Sequence, residues 1–185
     1  EARRREDKKG AFYVALLAKR GRPTADVVAG IVPEIVQNFP WPKSMRWSSG
    51  KLRWVRPLHS ILCLLDGKVV AFEVDGIRSG KETRGHGFMA PKPFAVKGFA
   101  DYVKKLRAAK VILDGEERAK VILDGARSLA KKETLTLVED DGLLQENVGL
   151  TEWPVPLIGH FDEAFLSVPA EVLATAMKAH QKCFS

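Results

Sequence analysis

An α+β fold is what this 185-residue chain predicts, a mixed sheet with hairpins packed by helices. Three observations carry that expectation. Apolar runs of strand length intermingle with apolar residues at helical spacing, instead of alternating as regular βαβ units. Asp66-Gly67 stands between two apolar runs, the strongest short-range hairpin signal in the chain. An Asp-x-x-Glu capping box, Asp114 to Glu117, opens a long helical pattern. The length fits one large or two small domains. The expectation is one α+β domain or fragment over 1–185, with 98–133 as the place where a subdivision would fall.

Taken in order, Ala11 to Leu17 is a run of β-formers flanked by Gly10 and Gly21 and reads as a strand. Thr24 is a plausible N-cap for a helix with Val27, Val28, Ile31, Ile35 and Val36 at helical spacing. Pro33 lies inside that pattern and predicts a kink or a junction of two short helices, and Pro40 and Pro42 end it. Trp54–Leu65 and Lys68–Val74 read as the two strands of the Asp66-Gly67 hairpin, the second alternating as a half-exposed strand does. Gly76 to Pro93 reads as a glycine-rich loop. Phe99–Ala108 is a short helix and Lys110–Leu113 a short strand.

The next helix runs from the Asp114 cap to about Lys131. It contains a copy of AKVILDG, found at 109–115 and again at 119–125. Only the second copy lies behind a cap, so the first is expected mostly extended and the second helical. Leu135–Val138 is a strand candidate, 142–148 a helix, and Val155–Gly159 a strand whose prolines confine it to an edge. Pro169–Ala179 reads as a helix with proline in its first turn.

Charge is the second guide. The net of +7 hides a split. Residues 1–132 hold 28 Lys/Arg against 14 Asp/Glu, a net of +14, while residues 133–177 hold nine acids and no Lys or Arg. The densest stretch is FPWPKSMRWSSGKLRWVRPLH, residues 39–59. It packs Trp41, Trp47 and Trp54 beside Lys43, Arg46, Lys51, Arg53 and Arg56, and no acid occurs between Glu34 and Asp66. Cations neutralise phosphates and aromatic rings stack on bases, so this is a candidate nucleic-acid surface. The structural alternative is that the tryptophans are core, covered by Lys/Arg stems. The acidic stretch faces another protein or is simply a solvated face.

Several classes of site find no support. No apolar run approaches the roughly 20 residues of a membrane helix. The opening EARRREDKK lacks the apolar centre of a secretory signal. Cys63 and Cys183 are far apart and without metal-type spacing, which fits a reducing, cytoplasmic setting. The four histidines show no metal-ligand spacing. His59 reads as a core or rim residue. His86 sits in Thr-Arg-Gly-His-Gly, where contact with a ligand beside Arg84 and plain turn chemistry are both open. His180-Gln181-Lys182 suits phosphate contacts or the complement of a helix C-terminus. No Walker loop, dinucleotide fingerprint or nucleophile–base pair is present. A start at Glu1 and an end at Phe184-Ser185, straight after a helical pattern, predict a piece of a longer polypeptide.

Phe-Pro-Trp-Pro-Lys-Ser-Met-Arg-Trp (39–47), Arg-Pro-Leu-His (56–59), Thr-Arg-Gly-His (83–86), Glu-Trp-Pro-Val (152–155) and His-Gln-Lys (180–182) occur in an order and spacing that resembles the β subunit of the bacterial two-subunit glycyl-tRNA synthetase. The resemblance covers nearly the whole chain. It departs at Gly87, where the family more often has a basic residue, and at Cys183, where an aromatic is usual. The first departure weakens a phosphate role for that loop; the second alters packing.

The resemblance implies that the class II site for glycine and ATP lies in an α subunit, and that the β subunit is required for activity and binds much of the tRNA. The enzyme would be a heterotetramer. The fragment would sit toward the N-terminal half of the β subunit, in a region likened to the B3/B4 module of the phenylalanyl-tRNA synthetase β subunit. On that implication the partners are the α subunit and tRNA(Gly), with no membrane. The cofactor list is empty for this piece (ATP being used by the whole enzyme), and neither a catalytic nor a metal residue is assigned. The RNA-binding candidates are Lys43, Arg46, Arg53, Arg56, Arg84 and His86. Two further readings stand beside it: a hydrolytic editing module, and a scaffold whose acidic stretch docks a neighbouring domain.

Overall fold

A computed structural model describes residues 2–15, 17 and 20–185. The fold is α+β, with small sheets, hairpins and, among the described residues, five α-helices. The chain forms two compact units, one of residues 1–65 and 69–80, the other of residues 66–68 and 81–185.

The first unit opens on an antiparallel ribbon of β1 (Ala2–Asp7) and β2 (Gly10–Ala15), in register from Ala2 opposite Ala15 to Asp7 opposite Gly10. The sequence reading missed β1, because three arginines and two acids show no apolar alternation. Leu16, at the end of the expected strand, lies outside the described residues. Helix α1 (Thr24–Asn38) follows. Pro23 occupies the cap position and the Thr24 side chain makes no cap bond, so the expected Thr24 cap is corrected by one residue. The helix is continuous through Pro33, which costs it one backbone hydrogen bond. Val27, Val28 and Val36 are half-buried, while Ile31 and Ile35 stay exposed.

The expected long hairpin is broken into short pieces, β3 (Ile61–Leu62), β4 (Leu64–Leu65), β5 (Lys68–Val69) and β6 (Glu73–Val74), followed by β7 (Ile77–Gly80). Strand β7 pairs parallel to β3 and antiparallel to β6, a mixed sheet in the order β3-β7-β6. Asp66 (φ 50°) and Gly67 (φ 75°) make the expected tight turn. Asp75 (φ 50°) and Gly76 (φ 83°) make a second one at the start of the expected glycine-rich loop, on the same Asp-Gly signal. The 70–72 gap has a cause. The Ser79 hydroxyl donates to the Val70 carbonyl at 2.7 Å and accepts from Phe72 N–H at 2.9 Å, so a side chain replaces part of the ladder. The alternation survives: Val70 and Val74 are buried, whereas Val69, Ala71 and Glu73 are exposed.

In the second unit, β8 (Glu82–Arg84) pairs antiparallel with β9 (Pro93–Ala95), and helices α2 (Phe99–Ala108), α3 (Gly115–Lys132), α4 (Asp141–Leu150) and α5 (Ala170–Ala176) follow. Asp114 caps α3 by accepting from Glu116 N–H and Glu117 N–H. The other half of the capping box is diverted, since the Glu117 carboxylate pairs with Arg107. The AKVILDG copies part as context demands: residues 111–114 are extended and 119–125 are helical. Ile122, Leu144 and Val148 form the buried centre, with Ala119, Leu123 and Phe184 against them. Gly125 sits in mid-helix because Pro156 lies there; an added Cβ would come within 2.5 Å of its ring. Residues 110–113, 135–138 and 155–159 form no strands, contrary to expectation. At 110–113 one backbone bond, Ile112 N–H to Glu152 C=O at 2.9 Å, is all that remains of a ladder.

Arg118 is a hub of this unit. Its guanidinium donates to the carbonyls of Val148 (3.1 Å), Ile112 (2.6 Å) and Leu113 (3.0 Å), fastening the C-terminal end of α4 to the extended segment. Arg118→Met keeps the stem and leaves those oxygens without their charged donor. The expected loss is about 2–4 kcal/mol, read as a lower urea midpoint at unchanged slope.

Three carboxylates of this unit have lowered pKa values. Asp101 is lowered by hydrogen bonds from the Lys105 side chain and then Lys97 N–H, Glu139 by Arg127, and Asp140 by Lys178 and then Leu143 N–H. A carboxyl whose folded pKa is depressed contributes stability above its unfolded pKa and loses it as pH falls through the folded one. The stability of this unit should therefore fall modestly as pH drops below the ordinary carboxylate range, read as a lower urea midpoint followed by its helical signal. Asp140→Asn should flatten that loss in a circular-dichroism titration, at the cost of lower stability at neutral pH.

Candidate nucleic-acid interface

Pro40 and Pro42 stop α1 and send the chain into an irregular segment held by one backbone bridge. Met45 N–H donates to Trp54 C=O at 2.9 Å, and Trp54 N–H to Met45 C=O at 3.1 Å. On one side of this bridge Phe39, Trp41 and Trp54 make a mutual cluster, with ring centroids 4.6, 5.6 and 4.9 Å apart and Trp41 edge-on to Trp54 at 80°. The Trp41 Nε1–H is buried there without a hydrogen-bond partner. These rings are engaged with one another, and Trp47 is half-buried. For Trp41 and Trp54 the packing alternative holds over a stacking surface for bases.

The cations keep their charge uncompensated. Arg46 and Arg53 are the chain neighbours of the bridged Met45 and Trp54, and both are exposed. Arg53 Nε donates to Ser44 Oγ at 3.2 Å. Arg56 donates to the neighbouring Val55 carbonyl at 2.8 Å, and Lys43 is exposed. Among the described residues, no carboxylate lies within ion-pair distance of Lys43, Arg46, Arg53 or Arg56. Exposed cations without a carboxylate partner suit an anion brought from outside.

The six candidate residues fall in both units. Lys43, Arg46, Arg53 and Arg56 belong to the first; Arg84 and His86 belong to the second. Arg84 ends β8, is exposed and has no carboxylate partner among the described residues. Gly85 lets the chain pass close to Ala109, and His86 N–H donates to Ala109 C=O at 2.9 Å. His86 Nδ1 accepts from Phe88 N–H (3.2 Å) and Met89 N–H (3.1 Å), so this nitrogen is unprotonated and Nε2 carries the ring hydrogen. Turn chemistry is thus real at His86, and Nε2–H is left as a donor.

The acidic stretch serves its own unit. Glu139 grips Arg127 through two bonds of 2.7 and 2.8 Å, Asp140 pairs with Lys178, and Glu146 with Lys182 at 2.8 Å. Lys182 therefore has a structural partner. His59, His160 and His180 are exposed, and His59 stands at the surface. Among the described residues no three His, Cys, Asp or Glu side chains gather as a metal set, and no helix is long and apolar enough to cross a membrane.

Over residues 1–185 the sequence matches the family described as glycyl-tRNA synthetase beta subunit. The chain belongs to that family. It is 54% identical over 185 residues to the glycine–tRNA ligase beta subunit of Paracoccus denitrificans (strain Pd 1222), covering 98% of this chain and 27% of that protein. The beta subunit of Ruegeria sp. (strain TM1040) is also 54% identical, with 98% and 27% covered. That of Dinoroseobacter shibae is 53% identical, with 98% and 26% covered. The chain spans about a quarter of the length of these relatives. The motifs quoted above map onto built features: 39–47 contains Met45 of the Met45–Trp54 bridge and 56–59 follows its other end, 83–86 forms the Ala109-anchored turn, and 152–155 carries the buried Pro154 and, half-buried, Trp153 under Lys110 (4.8 Å from ring centroid to Nζ).

Proposed function

We propose that this chain is a non-catalytic, tRNA-contacting and assembly-supporting part of a glycyl-tRNA synthetase β subunit. The bond-making between glycine, ATP and tRNA then resides in the α subunit of a cytoplasmic heterotetramer, and this piece needs no cofactor of its own. The observation that carries the reading is the set of exposed cations around the Met45–Trp54 bridge, Lys43, Arg46, Arg53 and Arg56, which lack any carboxylate partner among the described residues. Guanidinium groups in that state bind phosphate through charge and paired hydrogen bonds, and they recognise RNA by backbone and shape. Arg84 and the Nε2–H of His86 supply further donors on the second unit. The likeness to the B3/B4 module belongs to this reading as an architectural expectation.

An editing role is the second reading, motivated by the likeness to an editing domain. It needs a nucleophile–base pair or a positioned water, and the exposed histidines provide neither. Deacylation of mischarged tRNA by the full β subunit separates the two. Hydrolysis at the no-protein rate supports the proposal, and hydrolysis well above it, abolished by substitution within this chain, overturns it.

A further inference from the structure

The loop between β8 and β9 presents one large apolar side chain almost entirely to solvent. Phe88 is 90% exposed, yet its backbone is held on several sides. His86 N–H is tied to Ala109 C=O, His86 Nδ1 takes the N–H groups of both Phe88 and Met89, and Ala90 N–H closes the turn on His86 C=O at 2.8 Å. Gly85 lies against Ala109 with no room for a Cβ. An aromatic displayed on a pinned turn loses little conformational freedom when a flat partner lands on it.

The charge around it selects the partner. Residues 81–110 hold eight Lys/Arg against two Asp/Glu. Lys105 is paired with Asp101 and Arg107 with Glu117, and Lys97 lies beside the same Asp101 carboxylate, which takes its backbone N–H at 2.9 Å, whereas Lys81, Arg84, Lys92 and Lys104 have no carboxylate partner among the described residues. An exposed ring in a segment rich in exposed cations, with Arg84 four residues before it, matches the needs of a single-stranded nucleic acid, a π-face for a base and positive charge for its phosphates.

We infer that Phe88 is a stacking platform for an unpaired base of bound RNA, with Arg84 on an adjoining phosphate and His86 as the positioning residue that holds the turn. This rests on the tRNA-contacting reading above and adds base stacking to backbone contact.

The test uses the assembled α/β enzyme with a full-length β subunit and tRNA(Gly), measuring binding across a salt series. Phe88→Ala should weaken binding about 5- to 100-fold with the salt slope unchanged, and Phe88→Trp should restore it. Phe88→Ala binding as tightly as the parent, while Arg46 and Arg53 variants still change the salt slope, overturns this inference alone. No effect from either set overturns the broader reading with it. Loss of subunit association at unchanged tRNA affinity assigns Phe88 to a protein contact and also overturns the inference. With nine-tenths of its surface in solvent, Phe88 can be trimmed without opening the fold, and a melting curve for each variant checks this.

Discussion

Reversing Arg46 and Arg53 together, as Arg46→Glu/Arg53→Glu in the assembled enzyme, should weaken tRNA binding and flatten its dependence on salt. Each phosphate neutralised contributes about 0.7–0.9 to the slope of log affinity against log salt. Two lost contacts therefore lower the slope by about 1.4–1.8. The physical ground is the missing counter-charge. An arginine already satisfied by a carboxylate gains little from phosphate, because it exchanges one anion for another. Arg78 is the internal control. It pairs with Glu73 at 3.1 Å in the same unit, so Arg78→Gln should leave the slope where it was. Filter-binding or fluorescence titrations at several salt concentrations distinguish these outcomes. An unchanged slope in the double variant would show that this pair does not meet tRNA phosphates.

Gly85→Ala should be among the most damaging small substitutions in the chain. A Cβ at this position falls 2.4 Å from the Ala109 carbonyl oxygen and 2.3 Å from its Cβ. Ala109 is the C-cap of α2, its N–H bonded to Lys105 C=O and Arg107 C=O, so it cannot step aside without unwinding the helix end. Overpacking against backbone costs about 1–3 kcal/mol and sometimes more. In a domain of this size that lowers the melting temperature by about 4–10 °C. Gly87, two residues on, has open space around its would-be Cβ, and Gly87→Ala should stay within about 0.5 kcal/mol of the parent. Equal melting temperatures for the two variants would refute the close approach.

Local signals read well where they are self-contained. Asp114 as a cap, α2 at Phe99–Ala108 and the Asp66-Gly67 turn were legible because caps and tight turns act within four residues. The divergent fates of the AKVILDG copies followed from the same cap. Strands were harder. Residues 135–138 and 155–159 have β-formers, but the strands they would need as partners are not beside them, and propensity alone does not make a ladder. The 70–72 interruption depended on a hydroxyl nine residues from Val70, which no period in the chain encodes.

For the site, crowding of cations in 39–59 was visible in the sequence, while its division into an aromatic cluster and a set of uncompensated cations was not. That division is set by the Met45–Trp54 bridge, a contact between residues whose pairing has no turn signature. The glycine flanks of His86 signal a close backbone approach, but that the approach is to Ala109, and that Phe88 stands out on the turn it pins, depends on a contact some twenty residues further on.

The central claim is that the 39–59 segment lies against tRNA while the partner subunit does the chemistry. Cross-linking of the intact α/β enzyme to tRNA(Gly), followed by mapping of the modified peptides, tests it most directly. Adducts on peptides containing Arg46, Arg53 or Arg56, suppressed by high salt, are the predicted result. A saturated cross-linking map with adducts elsewhere in the β subunit and none between Phe39 and His59 would contradict it.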